Sequence, residues 1–178
     1  CGIDKFSIFL LIKSLKKNTA LITLDISNNK FDEKDICEIW DVLIKSEFNF
    51  KRLIMNQTGK ISVNVSEKIF EFLKTNKILD YLNLSKNIIL EEAMGLIFDG
   101  LKENENLNEI DLRDNLSGSK VIYLFGHYLL SLNSGKLQKI WIKGNFNKED
   151  IIDNDYTYLK DLLENKNIET DINDLILK

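Results

Sequence analysis

His127 is the one histidine of the chain, and a lone imidazole moves protons in catalysis only beside a nucleophile or an orienting partner. Its segment, "FGHYLL", supplies no cysteine, serine or second histidine for that work, so His127 reads as a surface or structural residue. Cys1 and Cys37 are too few for a four-ligand metal site or a disulfide framework. "GKIS" at 59–62 lacks the glycine-rich run and the strand-to-helix setting of a phosphate loop, and reads as a turn. The pairs Asp32/Glu33 and Glu91/Glu92 stand at helix starts, where negative charge favours the helix dipole. No catalytic constellation emerges, and the expectation is a non-enzymatic protein that needs no cofactor and no metal.

Composition narrows the partners. The net charge is -4 with both signs mixed along the chain, and Arg52 and Arg113 are the only arginines. Nucleic-acid binding leaves a clustered basic footprint, and none is visible. The longest apolar run, "FSIFLLI" from Phe6 to Ile12, stops at Lys13, Lys16 and Lys17, well short of the roughly 18 residues of a membrane-spanning helix. An apolar fraction of 44% over 178 residues suits one folded domain. Proline is absent, which fits a chain of short, closely joined elements; an AT-rich coding sequence explains the same absence. Glycosylation triplets occur at Asn56, Asn64, Asn83 and Asn115, but an asparagine-rich chain produces them by composition. A reducing, cytoplasmic setting is expected, in the protein's own cell or in a host's, with the protein as a monomer.

The elements that position these residues follow from a repeat. "LITLDISNN" at 21–29 alternates Leu24 and Ile26 against Thr23, Asp25 and Ser27, as a half-buried strand does. The frame L-x-x-L-x-L-x-x-N returns in "FKRLIMNQT", "LDYLNLSKN", "LNEIDLRDN" and "LQKIWIKGN", with starts at 21, 50, 79, 107 and 137. Periods of this length mark repeat architectures. Between the frames, apolar residues recur at three- and four-residue steps. The faces are Ile36/Ile39/Trp40/Leu43, Val65/Ile69/Phe72/Leu73, Ala93/Ile97/Leu101, Val121/Leu124/Phe125/Leu129 and Ile152/Tyr156/Leu159/Leu163. Asp32, Ser66 and Asn147 are candidate helix caps. Each repeat is one strand and one helix.

These frames resemble the leucine-rich-repeat family, and their length with a full helix per turn is similar to its ribonuclease-inhibitor-like subclass. That subclass also occurs in Ran GTPase-activating proteins, tropomodulins and sensor domains of innate-immune receptors. The resemblance implies an α/β fold: a right-handed solenoid, a curved horseshoe segment with a parallel sheet on the concave side and helices on the convex side. Residues 1–178 would form one domain of about five strand–helix repeats plus partial terminal repeats. It also implies that Asn29, Asn87, Asn115 and Asn145 form a buried ladder bonding the backbone of neighbouring turns. Thr58 stands in for asparagine in the second repeat and puts a distorted turn there. Cys1 fits the corresponding slot one repeat earlier, so the chain opens inside a repeat; an N-terminal Cys-Gly also suits a mature lipoprotein. "NIETDI" at 167–172 alternates like a last short strand.

The outward members of the strands fall into three columns: Thr23, Arg52, Tyr81, Glu109, Lys139; then Asp25, Ile54, Asn83, Asp111, Trp141; then Ser27, Asn56, Ser85, Arg113, Lys143. Water-facing aromatics, isoleucine and arginine serve binding rather than folding. The expected partner site is therefore Trp141, Tyr81, Arg113, Ile54 and Arg52, with acidic Glu109 and Asp111 beside basic Lys139 and Lys143. A competing expectation has the C-terminal segment covering Trp141. The leading function is a protein-interaction module using this face. Alternatives are a regulator of a small GTPase, through Arg52 or Arg113, and a secreted microbial effector.

Overall fold

A computed structural model describes residues 3–14, 18, 20–45, 48–132, 136–146 and 153–172. Strands run at β1 Thr23–Asp25, β2 Arg52–Ile54, β3 Lys60–Ile61, β4 Tyr81–Asn83, β5 Ile88–Ile89, β6 Glu109–Asp111, β7 Lys139–Trp141 and β8 Glu169–Thr170. Helices run at α1 Lys5–Ser14, α2 Glu33–Lys45, α3 Val63–Thr75, α4 Glu91–Glu103, α5 Val121–Ser131 and α6 Asp153–Lys166. One sheet has the order β1-β2-β4-β6-β7-β8, and β3 and β5 form a second. Every pairing is parallel. The strand centres Leu24, Leu53, Leu82, Ile110 and Ile140 are those the frames predict, and all are buried.

Parallel strands need a crossover, and a helix supplies it in each repeat. The helices bury one side against the inner face of the sheet. Trp40 and Phe72 meet edge to face at 5.0 Å, Phe48 stacks on Phe50 at 4.0 Å, and Phe98 lies against Phe125 and Tyr128. All the expected helical face residues that are described are buried except Leu124, which is half-buried. Burying each large side chain contributes about 1.5–3 kcal/mol, so the core runs the length of the stack.

Asp32 caps α2, accepting from the Asp35 amide at 2.7 Å. Ser66 does not cap: it lies fully buried inside α3, and Ser62 caps that helix by accepting from the Val65 amide. "GKIS" is likewise more than a turn, for Lys60 and Ile61 form β3 and Ser62 the cap. The Cys1 slot, the Asn147 cap, the side chains of Ile152 and Tyr156, and residues 173–178 lie outside the described residues.

The turn after each main strand places one residue in the left-handed region: Asn28 (φ 58°), Gln57 (52°), Lys86 (56°), Asp114 (56°) and Gly144 (79°). Asparagine and aspartate tolerate it. At 144 glycine also leaves room for the preceding turn, since an added Cβ would come 2.1 Å from Asp114 Oδ1. Behind each such residue sits the ladder position. Asn87 Nδ2 donates to Met55 O and Leu84 O, while its Oδ1 accepts from the Thr58 and Gly59 amides. Asn145 repeats this with Leu112 O, Ile142 O and the Asn115 amide. Asn29 takes the Ile3 amide and donates to Ile26 O. Thr58 bonds Met55 O in its own turn and keeps the turn regular, but it sends no side-chain bond to the repeat before it.

Candidate protein-binding face

The strand residues that point away from the helices lie in register across the sheet: Thr23, Arg52, Tyr81, Glu109, Lys139 and Glu169 in one row, Asp25, Ile54, Asn83, Asp111 and Trp141 in the next. Period-two geometry puts them there. Directly opposed side chains on parallel strands are close enough to bond, and in the middle of the sheet they do.

Asp111 is the hub. Its carboxylate takes Arg113 in a two-point pair, Nε at 3.0 Å and Nη2 at 2.6 Å, a geometry that joins charge to a fixed fork. Asn83 donates to the Tyr81 hydroxyl at 3.1 Å and approaches Asp111 Oδ2 at 3.5 Å, while its Oδ1 accepts from the Ser85 amide and hydroxyl. The Arg52 guanidinium carbon sits 3.8 Å from the Tyr81 ring centroid. Trp141 Nε1 donates to Glu109 at 2.8 Å, with Arg113 6.0 Å from its ring. Lys139 pairs with Glu169 at 2.7 Å.

This arrangement corrects the expected exposure of three residues. Tyr81, Asn83 and Asp111 are buried, with Asp111 only 1% exposed, because their neighbours in the row close over them. Opposite charges also answer one another, Asp111 with Arg113 and Lys139 with Glu169. Of the expected contact residues, Arg52, Ile54, Glu109, Lys139 and Trp141 are half-buried, and Arg113 and Lys143 are exposed. Seven of the nine are accessible on this face, and Tyr81 and Asp111 lie beneath them. Burial pushes the Tyr81 phenol above its ordinary value, and the Asp111 carboxylate holds Arg113 still more firmly protonated.

At the C-terminal edge, Asp171 Oδ1 accepts from the Ile142 and Lys143 amides at 2.9 and 3.1 Å, where a further strand's carbonyl would stand. Its Oδ2 is buried without a hydrogen bond, and burial raises the carboxyl's pKa despite the two amides and nearby Arg113. The frame pattern did not single out Asp171. A second missed set is Asn76 and Asn104, which accept from the Leu79 and Leu107 amides at the helix-to-strand turns. An asparagine three residues before the frame leucine was the available signal.

Elsewhere the chemistry is sparse. His127 is exposed on α5. Cys37 is a half-buried free thiol whose pKa is raised by burial and by Glu33 and Asp41, which suppresses the reactive thiolate. Among the described residues, no cluster of three or more histidine, cysteine or acidic groups is placed to hold a metal, and no helix is long and apolar enough to cross a membrane.

Residues 20–42 match the family model for the leucine-rich repeat. The solved structures of the leiomodin-1 actin-binding site 2 and of the tropomodulin C-terminal domain from Caenorhabditis elegans are similar throughout. The first has a TM-score of 0.68 at 18% identity, over 93% of this chain and 91% of that one. The second has 0.66 at 16%, over 92% and 93%. The fold is of leucine-rich-repeat type. A curated relative, FERM domain-containing protein C of Dictyostelium discoideum, is 29% identical over 105 residues, which are 57% of this chain. The matched stretch spans 7% of that protein's length.

Proposed function

We propose that this chain is a non-enzymatic protein-interaction module, a segment of a right-handed leucine-rich-repeat solenoid of ribonuclease-inhibitor-like type that binds a partner on its concave strand face. The observation that carries the reading is Trp141. It stands on the open face, half-exposed, with its indole N–H already fixed by Glu109. A large aromatic held in one orientation contributes binding area at little cost in conformational entropy. The surrounding ion pairs are preformed, so a partner meets an ordered surface.

The test is comparative capture from a eukaryotic lysate by the wild-type protein and by Trp141→Ala, followed by affinity measurement on any protein that differs. Loss of 2 kcal/mol or more, the hot-spot threshold, is expected, with the melting temperature nearly unchanged. A partner retained equally by both proteins refutes the site. The likeness to the leiomodin-1 actin-binding site 2 along nearly its whole length makes actin the first purified protein to try. A small-GTPase regulator is the second reading, and it needs an arginine free to reach a nucleotide. Arg113 is held by Asp111 and Arg52 lies over Tyr81, so acceleration of GTP hydrolysis by a captured GTPase, lost with Arg52→Ala, is what that reading requires.

A further inference from the structure

The polar groups of the open face nearly all answer one another. Asp111 holds Arg113, Glu109 holds the Trp141 indole, Lys139 holds Glu169, and Asp25 accepts from the Ser27 amide and hydroxyl. Arg52 differs. Its guanidinium lies 3.8 Å from the Tyr81 ring centroid, yet among the described residues it has no hydrogen bond and no ion pair with a carboxylate. The ring contributes electrostatic attraction but takes up no acceptor-seeking N–H group in a fork that matches a carboxylate. The side chain is half-buried, so water serves those donors only in part. Arginine's planar group, fixed over a ring in this way, has already lost much of the freedom that binding would cost.

Two residues along the same strand, Ile54 shares the face and is half-buried as well. Strand geometry separates the two positions by roughly 7 Å. We infer that Arg52 determines specificity on this face by receiving an aspartate or glutamate side chain of the partner protein, with an apolar partner side chain seated on Ile54. The inference rests on the open face being the binding face, and it adds the chemistry that the partner must bring. Charge complementarity selects the occupant: a carboxylate is the group that answers a guanidinium when the acids of its own face are bonded to other groups.

The experiment uses displayed random short linear peptides selected on the intact protein, with the selected peptides then synthesised and titrated. Acidic peptides carrying a nearby apolar residue are expected to be enriched. Arg52→Gln should weaken their binding by about tenfold or more, and converting the peptide's acid to its amide should weaken binding to the wild type equally. The two changes together should cost little more than either one, and Arg52→Lys should fall between. Melting curves of both variants check that the fold survives. Selected peptides that carry no acid, or that bind wild type and Arg52→Gln equally while losing affinity for Trp141→Ala, overturn the role of Arg52 and leave the binding face standing. Peptides indifferent to both variants overturn the face as well, and a selection that enriches nothing overturns the inference.

Discussion

Asp171 shows what one side chain does at the end of a sheet. Its carboxylate takes the Ile142 and Lys143 amides in place of a strand, and burial raises its pKa above the ordinary 3.8. In the pH window between the ordinary and the raised value the folded protein therefore holds more of this proton than the unfolded chain, and the sign follows from linkage. The stabilising contribution is fully present below the ordinary carboxylate value and is lost as pH rises through the raised one. Asp171→Asn keeps an acceptor oxygen and removes the titration, so its melting temperature relative to wild type should climb as pH goes from about 4 to neutrality. A pH-independent difference would show that the carboxyl is not perturbed. On the same face, Asn83 illustrates a residue whose surroundings the pattern misplaces: alternation assigns it the side away from the helices, but Tyr81, Ser85 and Asp111 cover it there. Asn83→Ala should destabilise by about 1 kcal/mol, because the Ser85 amide and hydroxyl lose their acceptor while water remains near. Thermal melts against wild type decide it.

At the scale of elements, the strands were legible because a short frame puts three apolar residues on one side and an obligatory polar group at the turn. The helices were legible from their three- and four-residue spacing. Less legible were the pieces fixed by contact between repeats. β3 and β5 are two residues each, and they exist because neighbouring turns bring Lys60–Ile61 and Ile88–Ile89 side by side. The cap at Ser62 rather than Ser66 depends on where that strand ends. The outward columns follow from the strand register, but their burial depends on Tyr81, Asn83 and Asp111 packing across two strands, which no single frame contains. The ladder turn offers the sharpest test at this scale. Asn87→Ala strands the Met55 and Leu84 carbonyls and the Thr58 and Gly59 amides, and should cost about 1–3 kcal/mol. Thr58→Asn should have the opposite sign, a gain of about 0.5–1.5 kcal/mol from a bond to the free side of Ile26 O. Denaturant midpoints of the two variants check both signs.

Across the described residues, the strand pairing and the main helix packing join each repeat to its neighbours, so stability is close to a sum of repeats and interfaces. The sheet hydrogen bonds and the core continue through all the interfaces, but the ladder does not: Asn87 and Asn145 reach back to the preceding turn, whereas Thr58 leaves the junction between the first two repeats to backbone pairing such as Phe31 N–H to Thr58 O. That junction is a cleavage plane. Under slowly rising denaturant the part holding β1 and α2 should open as one block while β4 and β6 stay closed, since local opening follows the weakest interface. Native-state hydrogen exchange would register this as a lower opening energy for the Ile26 and Asn28 amides than for those of Leu84 and Leu112. With Thr58→Asn the two groups should converge. Pulled from its ends, the protein with Thr58 would lengthen in two steps rather than one, and one missing amide group would have set where a continuous sheet tears.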